Sequence, residues 1–388
     1  MEHAGATPQQ DEKGPCALIL SGGGARAAYQ VGVLLAVARI WRHGEANPFP
    51  IICGASAGAI NAAGLASRAS AFQSSVRHLA RSWLLLSPER VYRASVLALI
   101  KSAGHWAVSM LAGGLGERNP KSLLDNAPLR DLLSELVDFD GIGRAVDEGA
   151  LLALSITASG YTSGQSVSFY QGSPQLPDTW QRASRIGLRA RITVDHLMAS
   201  SAIPLVFPAA RINREYFGDG SVRQIAPLSP AIHLGASKLL VIGVAPHAEL
   251  PGREKVNEYP SLAQVAGHLL NSVFLDSLEA DLERVQRVNN TISLLSEEVR
   301  AAHRTALRPL EVLTIAPSRP LERLVMPHRK RFPPGLRFLL GGLGAFRRQG
   351  SVLSSYLLFH GDYVRQLIKL GYRDAMKRRK ELECFLAD

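Results

Sequence analysis

Two short apolar runs, each stopped by glycine and each followed by helical periodicity, constrain this chain more than any other feature. The first is CALIL at residues 16–20, which meets Ser21-Gly22-Gly23-Gly24 and then AAYQVGVLLAVARIW at 27–41. The second is FPIICG at 49–54, which turns through GASAG at 54–58 into the small-residue stretch AGAINAAGLASR. Strand, glycine loop and helix, twice in succession, is the pattern of parallel strands joined by helical crossovers. The expected fold is α/β: a mainly parallel central sheet flanked by helices, with a largely helical C-terminal extension.

Further apolar runs extend the sheet. ALLALSITASG (150–160), SVSFY (166–170) and KLLVIGV (238–244) read as strands, the last with the continuous hydrophobicity of a strand buried on both faces. EVLTIAP reads as one more strand, at 311–316, returning to the core. Residues 71–150 read as mostly helical, with proline-marked starts in SPERVY and RNPKSLLDNAPLRDLL. TVDHLMASSAIPLVFPAARI passes from a short helix into a proline-bounded loop, and YFGDGSV comes next as a turn. Beyond Pro251 a long amphipathic stretch, SLAQVAGHLLNSVFLDSLEADLERVQRVNNTISLL, begins. The expected division is a polar disordered tail over 1–14, an α/β domain over 15–245 and a mostly helical, basic extension over 246–388.

A net charge of +11 on 388 residues points to anionic counter-surfaces, either membrane or nucleic acid. No zinc finger, RNA-recognition or helix-turn-helix signature accompanies it, so no nucleic-acid partner is expected. Cys16, Cys53 and Cys384 form no CxxC pair, which argues against a disulfide framework. The polar N-terminus is no secretory signal. The most apolar segment, VLALIKSAGHWAVSMLAGGL, is interrupted by Lys101 and His105, so a spanning helix is not expected. A soluble cytoplasmic protein that visits a membrane surface is the expectation. There is no HExxH, EF-hand loop or Cys/His cluster, and neither metal nor cofactor is expected.

Bare backbone at 22–24 needs a reason. Gly22, Gly24 and Ala27 satisfy the dinucleotide pattern G-x-G-x-x-G/A, but the second strand ends PIICG without the acid that would hold a ribose. A phosphate loop would need G-K-[ST], which is absent here. GASAG is instead G-x-S-x-G with Ser56 at its centre, the spacing of a serine exposed on a sharp strand-to-helix turn. Gly54 and Gly58 would let neighbouring chain pass close. The plainer reading is a tight turn with a capping serine. Acyl chemistry by serine also needs donors for a developing oxyanion, and the backbone of Gly22, Gly23, Gly24, Ala25 and Arg26 can supply them at a helix N-terminus. Arg26 anchors this loop or adds positive potential, or else is an ordinary solvated arginine. In FGDGS, Asp219 and Gly220 offer an acid on a tight turn, or merely an Asp-Gly turn. His196, His233, His247 and His268 are the histidines weighed for a triad. His233, His247 and His268 come after Asp219, in the order such a triad takes.

Taken together, GGGAR (22–26), GASAG (54–58), DGS (219–221) and ASSAIPLVFP (199–208) resemble the patatin-like phospholipase family, over roughly residues 15–245. SYLLFHGDYVRQLIKLGYRDA near the C-terminus is also similar to bacterial members. The resemblance implies a serine–aspartate dyad without histidine, with Ser56 as nucleophile, Asp219 as base and acid, and the glycine loop as oxyanion hole. It implies hydrolysis of carboxylic esters of lipids, namely phospholipid or lysophospholipid acyl chains. Two positions depart from the family pattern. Ala27 stands where glycine is usual, harmless inside a helix but disruptive if positive φ is needed. Ser221 stands where glycine or alanine is usual. A basic run with apolar interior, including Arg329, Lys330, Arg331, Arg337, Arg347 and Arg348, suits peripheral contact with anionic lipid. The alternatives are a non-catalytic lipid- or partner-binding member of the same fold, and a histidine-dependent esterase. The oligomeric state is left open.

Overall fold

In the computed structural model of this chain, the described residues are 14–94, 122–246, 259–296, 307–347 and 350–387. The segment around Lys101 and His105, together with His247 and Arg348, lies outside them.

The strands are β1 (Cys16–Leu20), β2 (Ile51–Ala55), β3 (Ala153–Gly160), β4 (Ser166–Gly172), β5 (Thr179–Arg182), β6 (Arg185–Arg189), β7 (Ala210–Ile212), β8 (Glu215–Asp219), β9 (Lys238–Ile242) and β10 (Glu311–Ile315). Around them lie α1 (Ala28–Ile40), α2 (Ala57–Ala66), α3 (Phe72–Leu84), α4 (Ala127–Leu136), α5 (Phe139–Asp147), α6 (Val194–Ser200) and α7 (Ser229–His233). The C-terminal part adds α8 (Leu262–Asn271), α9 (Ser277–Ser293), α10 (Pro334–Gly342), α11 (Ser351–Leu357), α12 (Gly361–Lys377) and α13 (Arg379–Ala387). One π-helical turn, Ser272–Asp276, joins α8 to α9, so the long amphipathic stretch is a single helical run.

The sheet order is β10-β9-β1-β2-β3-β4-β6-β5, with β8 also on β3 and β7 on β8. From β10 to β3 every pairing is parallel, while β4 and β8 run antiparallel to β3. The parallel centre is buried on both faces, which is why its sequences are unbroken apolar runs. Leu18, Leu20, Ile52, Leu240 and Ile242 enter one core. Ala17, Ile19, Ile51, Cys53, Leu239 and Val241 enter the other. β10 pairs with β9 in register from Glu311↔Lys238 to Ile315↔Ile242.

Along one edge of β3, two partner strands succeed one another. β2 accompanies β3 only as far as Ala55↔Thr157 and then leaves the sheet into α2. The next residue of β3, Ala158, pairs with Asp219 of β8. Two segments distant in sequence therefore end at adjacent positions of one long strand.

Four strands go beyond the apolar runs read from the sequence. β7 and β8 form a hairpin turning at Asn213, whose φ is +53°. Thr179–Arg182 buries only Trp180. Strands with one wetted face carry too little apolar signal to be told from loop. The expected helix start at SPERVY is a single 3-10 turn over Pro88–Arg90.

Helix α12 lies along α1 with almost no space between the backbones. A Cβ on Gly32 would stand 2.1 Å from the Ile368 carbonyl oxygen, and one on Gly371 2.1 Å from that of Tyr29. The Tyr29 hydroxyl donates to Asp374 at 3.3 Å.

Candidate active site

Ser56 sits between β2 and α2 with φ +53° and ψ −132°, a conformation non-glycine residues adopt only when their surroundings impose it. Here the surroundings are backbone. A Cβ on Gly54 would meet the Gly58 carbonyl oxygen at 2.5 Å, and one on Gly58 the Leu20 carbonyl oxygen at 2.3 Å. The turn is thus wedged against the end of β1, and glycine at both flanks lets it close. The Ser56 N–H donates to Ser200 Oγ at 2.9 Å, and Ser200 in turn donates to the Thr157 carbonyl at 2.6 Å. Ser200 ties the elbow to β3.

Asp219 ends β8 on the far side of the same point. Its Oδ2 accepts the Ser56 hydroxyl at 2.5 Å and its Oδ1 accepts the Ser221 N–H at 2.9 Å. The carboxyl is fully buried. Burial lifts its pKa from 3.8 to about 7, against the opposing pull of the hydrogen bonds from the Ser56 hydroxyl and the Ser221 N–H. Gly220 is required beside it, because a Cβ there would fall 2.0 Å from the Thr157 carbonyl oxygen.

The glycine loop crosses over this pair. Gly24 has φ +53°, and together with Ser56 and Ala57 it lines a narrow cavity of about 50 Å³. The cavity walls are apolar, among them Trp83, Leu86, Leu132, Ile203, Phe207 and Phe359. Ala27 has φ −62°, so the alanine costs nothing where it stands. Ser221 lies over the loop: a Cβ on Gly22 would be 2.2 Å from its Oγ. Glycine at 22 and serine at 221 fit each other.

Arg26 takes the anchoring role drawn for it and not the solvated one. It is 1% exposed, hence no solvated arginine, and its N–H donates to the Gly23 carbonyl at 3.1 Å, so that N–H is not free for an oxyanion. Its side chain braces the loop from behind. Nε donates to Ser355 Oγ at 2.8 Å, Nη1 to Asn271 Oδ1 and to the Tyr356 hydroxyl, both at 3.4 Å. The guanidinium stands 4.2 Å from the Tyr356 ring centroid and 3.6 Å from Glu322 Oε2. Phe274 stacks on that ring at 5.2 Å, and its own ring is 2.8 Å from where a Gly22 Cβ would be.

None of the described histidines hydrogen-bonds to Ser56 or to the Asp219 carboxyl. His196 accepts the Thr193 N–H, packs edge-on to Phe169 at 4.8 Å, and is driven by burial down to about 4. His233 stacks on Trp180 at 4.2 Å and bonds the Ser229 carbonyl. His268 is on an exposed face of α8. No group of three or more His, Cys, Asp or Glu among the described residues is arranged to hold a metal. Two further contributors carry no sequence signal of their own. Ser200 is one of two adjacent serines in ASSAIPLVFP with no spacing to mark it. Ala57 is the first residue of α2, and its N–H belongs to a helix turn that leaves such donors without intrahelical acceptors.

A family model described as patatin-like phospholipase matches residues 18–232. A cGAMP-activated phospholipase of Pseudomonas aeruginosa (strain BWHPSA011 / Pa011) is 27% identical over 210 residues, which are 54% of this chain and 53% of that protein. The chain thus aligns with about half the length of that curated relative. Among solved structures, VipD from Legionella pneumophila is matched at 13% identity and a TM-score of 0.32, over 95% of this chain and 67% of that one. With the family model spanning more than half of its length, the chain belongs to the patatin-like phospholipase family.

Proposed function

We propose that this protein hydrolyses carboxylic esters of lipids, with Ser56 as nucleophile and Asp219 as its base. The observation that carries this reading is the 2.5 Å contact of the Ser56 hydroxyl with a buried carboxylate, made from a positive-φ elbow. Ser56 Oγ attacks the acyl carbonyl carbon while its proton passes to Asp219. Negative charge then grows on the carbonyl oxygen, and the N–H groups of Gly24 and Ala57, which line the cavity with Ser56, are the donors assigned to it, with the rest of the glycine loop beside them. Collapse expels the alcohol, which takes its proton from Asp219, and an acyl-Ser56 ester remains. Water, deprotonated by Asp219, releases the fatty acid and restores the hydroxyl.

A carboxyl lifted to about 7 accepts the serine proton far better than a free aspartate would. The apolar walls suit a hydrocarbon chain better than a polar leaving group. An exposed basic surface including Arg329, Lys330 and Arg337 fits a substrate held in an anionic membrane, and no described helix is long and apolar enough to cross one. Activation by a cyclic dinucleotide belongs to the Pseudomonas protein's name, and the reading offered for this chain does not depend on it.

A fluorophosphonate probe tests the proposal. The wild-type protein is expected to be labelled at Ser56, with label and ester hydrolysis both lost in Ser56→Ala. Folded wild-type protein that neither labels nor cleaves a short-chain ester would leave the non-catalytic binding role instead.

A further inference from the structure

Helix α8 has one face committed to the fold and one that is not. Ala263 and Gly267 are its buried residues. Gly267 presses on α11, where a Cβ would lie 2.8 Å from Val352, and the Ala263 N–H donates to the Leu343 carbonyl at 3.0 Å. Leu262, Val265 and Leu269, spaced three and four apart, are 70%, 44% and 61% exposed. They form a continuous stripe on one side of the helix. Tyr259, three residues before it, and Phe338 on α10 are also large and exposed. A helix facing only water would carry polar groups at these positions.

Neither α8 nor the basic run that reaches its start carries an acid. No Asp or Glu occurs from Leu262 to Asn271 or from Arg323 to Arg348. Arg337 on α10 is exposed, as are Arg329, Lys330 and Arg347. The end of α10 reaches the start of α8: a Cβ on Gly344 would touch Ser261 at 2.9 Å and come within 3.9 Å of Arg347 Cδ. Apolar residues in a row beside bases, without acids, are what a helix lying in a bilayer interface carries.

We propose that the Leu262–Val265–Leu269 face of α8 docks on the surface of an anionic lipid bilayer. This rests on the reading of the protein as a lipid ester hydrolase, whose substrate is presented by such a surface. The apolar stripe enters the boundary between headgroups and chains, and Arg347, next to the start of α8, meets anionic headgroups together with the exposed bases of the same acid-free run. A second copy of this chain is a poorer occupant, because a two-fold contact brings the same bases face to face. The helix that docks also reaches the candidate site. Its last residue, Asn271, bonds Arg26 and Tyr356, and the π turn after it sets Phe274 against Gly22.

The experiment is co-sedimentation of the full chain with vesicles of phosphatidylcholine alone or mixed with phosphatidylglycerol. It compares wild type with Leu262→Ser/Val265→Ser/Leu269→Ser. Wild type should bind the anionic vesicles at least about 10-fold more tightly than the neutral ones. The triple variant should lose about 10-fold or more of that binding while keeping its melting profile and its rate on a soluble short-chain ester. Equal binding by wild type and variant overturns the proposal, as does a wild type that ignores both vesicles. A variant that binds normally but changes oligomeric state assigns the stripe to a second copy and overturns it too. The rate of wild type on the soluble ester reports on the hydrolase reading separately, since no vesicle enters that assay.

Discussion

At the scale of single residues the molecule turns on Asp219, a carboxyl buried with no cation among its hydrogen-bond partners in the described residues. Between about pH 4 and 7 the native carboxyl holds a proton that the unfolded chain has released, so stability falls as pH rises through that window and stays lower above it. Catalysis by the proposed route runs the other way, because only the unprotonated form accepts the serine proton. The expected profile is kcat/KM rising to a plateau with an apparent pKa near 7. Asp219→Asn keeps the shape and removes the titration. It should abolish turnover while flattening the dependence of Tm on pH, so that the variant gains on wild type at alkaline pH. Undiminished turnover in Asp219→Asn would remove the aspartate from the mechanism. Arg26 teaches a related lesson about legibility. Its motif position is plain in GGGAR, but its burial is not, because Asn271 lies 245 residues away and Ser355 329 away. No local pattern encodes contacts of that range.

At the scale of elements, the parts that can be read from sequence are those whose physics is local. β1, β2 and β9 announce themselves because strands buried on both faces must be nearly continuous in apolar residues, and β10 through the apolar part of EVLTI. The elbow at Ser56 and the turn at Asp219 are marked by glycines that backbone crowding demands. β5 to β8 are less legible, since TWQR and RIGLR leave much of their surface in water. The meeting of Ser56 and Asp219 is a matter of register, from Ala55↔Thr157 passing to Asp219↔Ala158, and only the assembled sheet contains it. The glycine loop is the element most open to test. Gly24→Ala adds a Cβ at φ +53°, 2.4 Å from the Tyr356 carbonyl oxygen, so the loop must move off α11 or change its dihedrals. Loss of a single oxyanion donor lowers turnover by about 100- to 1000-fold, and a fall of this size in kcat with little change in KM is expected. Turnover equal to wild type in a folded Gly24→Ala protein would place the oxyanion elsewhere.

At the scale of the whole molecule, part of what braces the candidate site lies outside the region matched by the family model. Residues 18–232 supply Ser56, Asp219 and the glycine loop, whereas Asn271, Phe274, Glu322, Ser355 and Tyr356 form the wall behind that loop. The C-terminal part also adds β10 to the sheet and lays α12 along α1. On α12, Val364, Leu367 and Ile368 are buried, and burial of each such side chain is worth roughly 1.5–3 kcal/mol. A few of them together rival the ~5–15 kcal/mol by which a domain is stable at all. A chain cut after residue 245 would therefore bare the glycine-lined face of α1, open the β9 edge and leave the Arg26 guanidinium without its partners. We predict that residues 15–245 expressed alone are insoluble or lack a cooperative melt, and that adding residues 246–388 as a separate chain restores little, since the two parts interleave at α1 and β9. A soluble 15–245 fragment with a sharp thermal transition and ester turnover near that of the full chain would show the C-terminal part to be an accessory, and the brace around Arg26 to be dispensable.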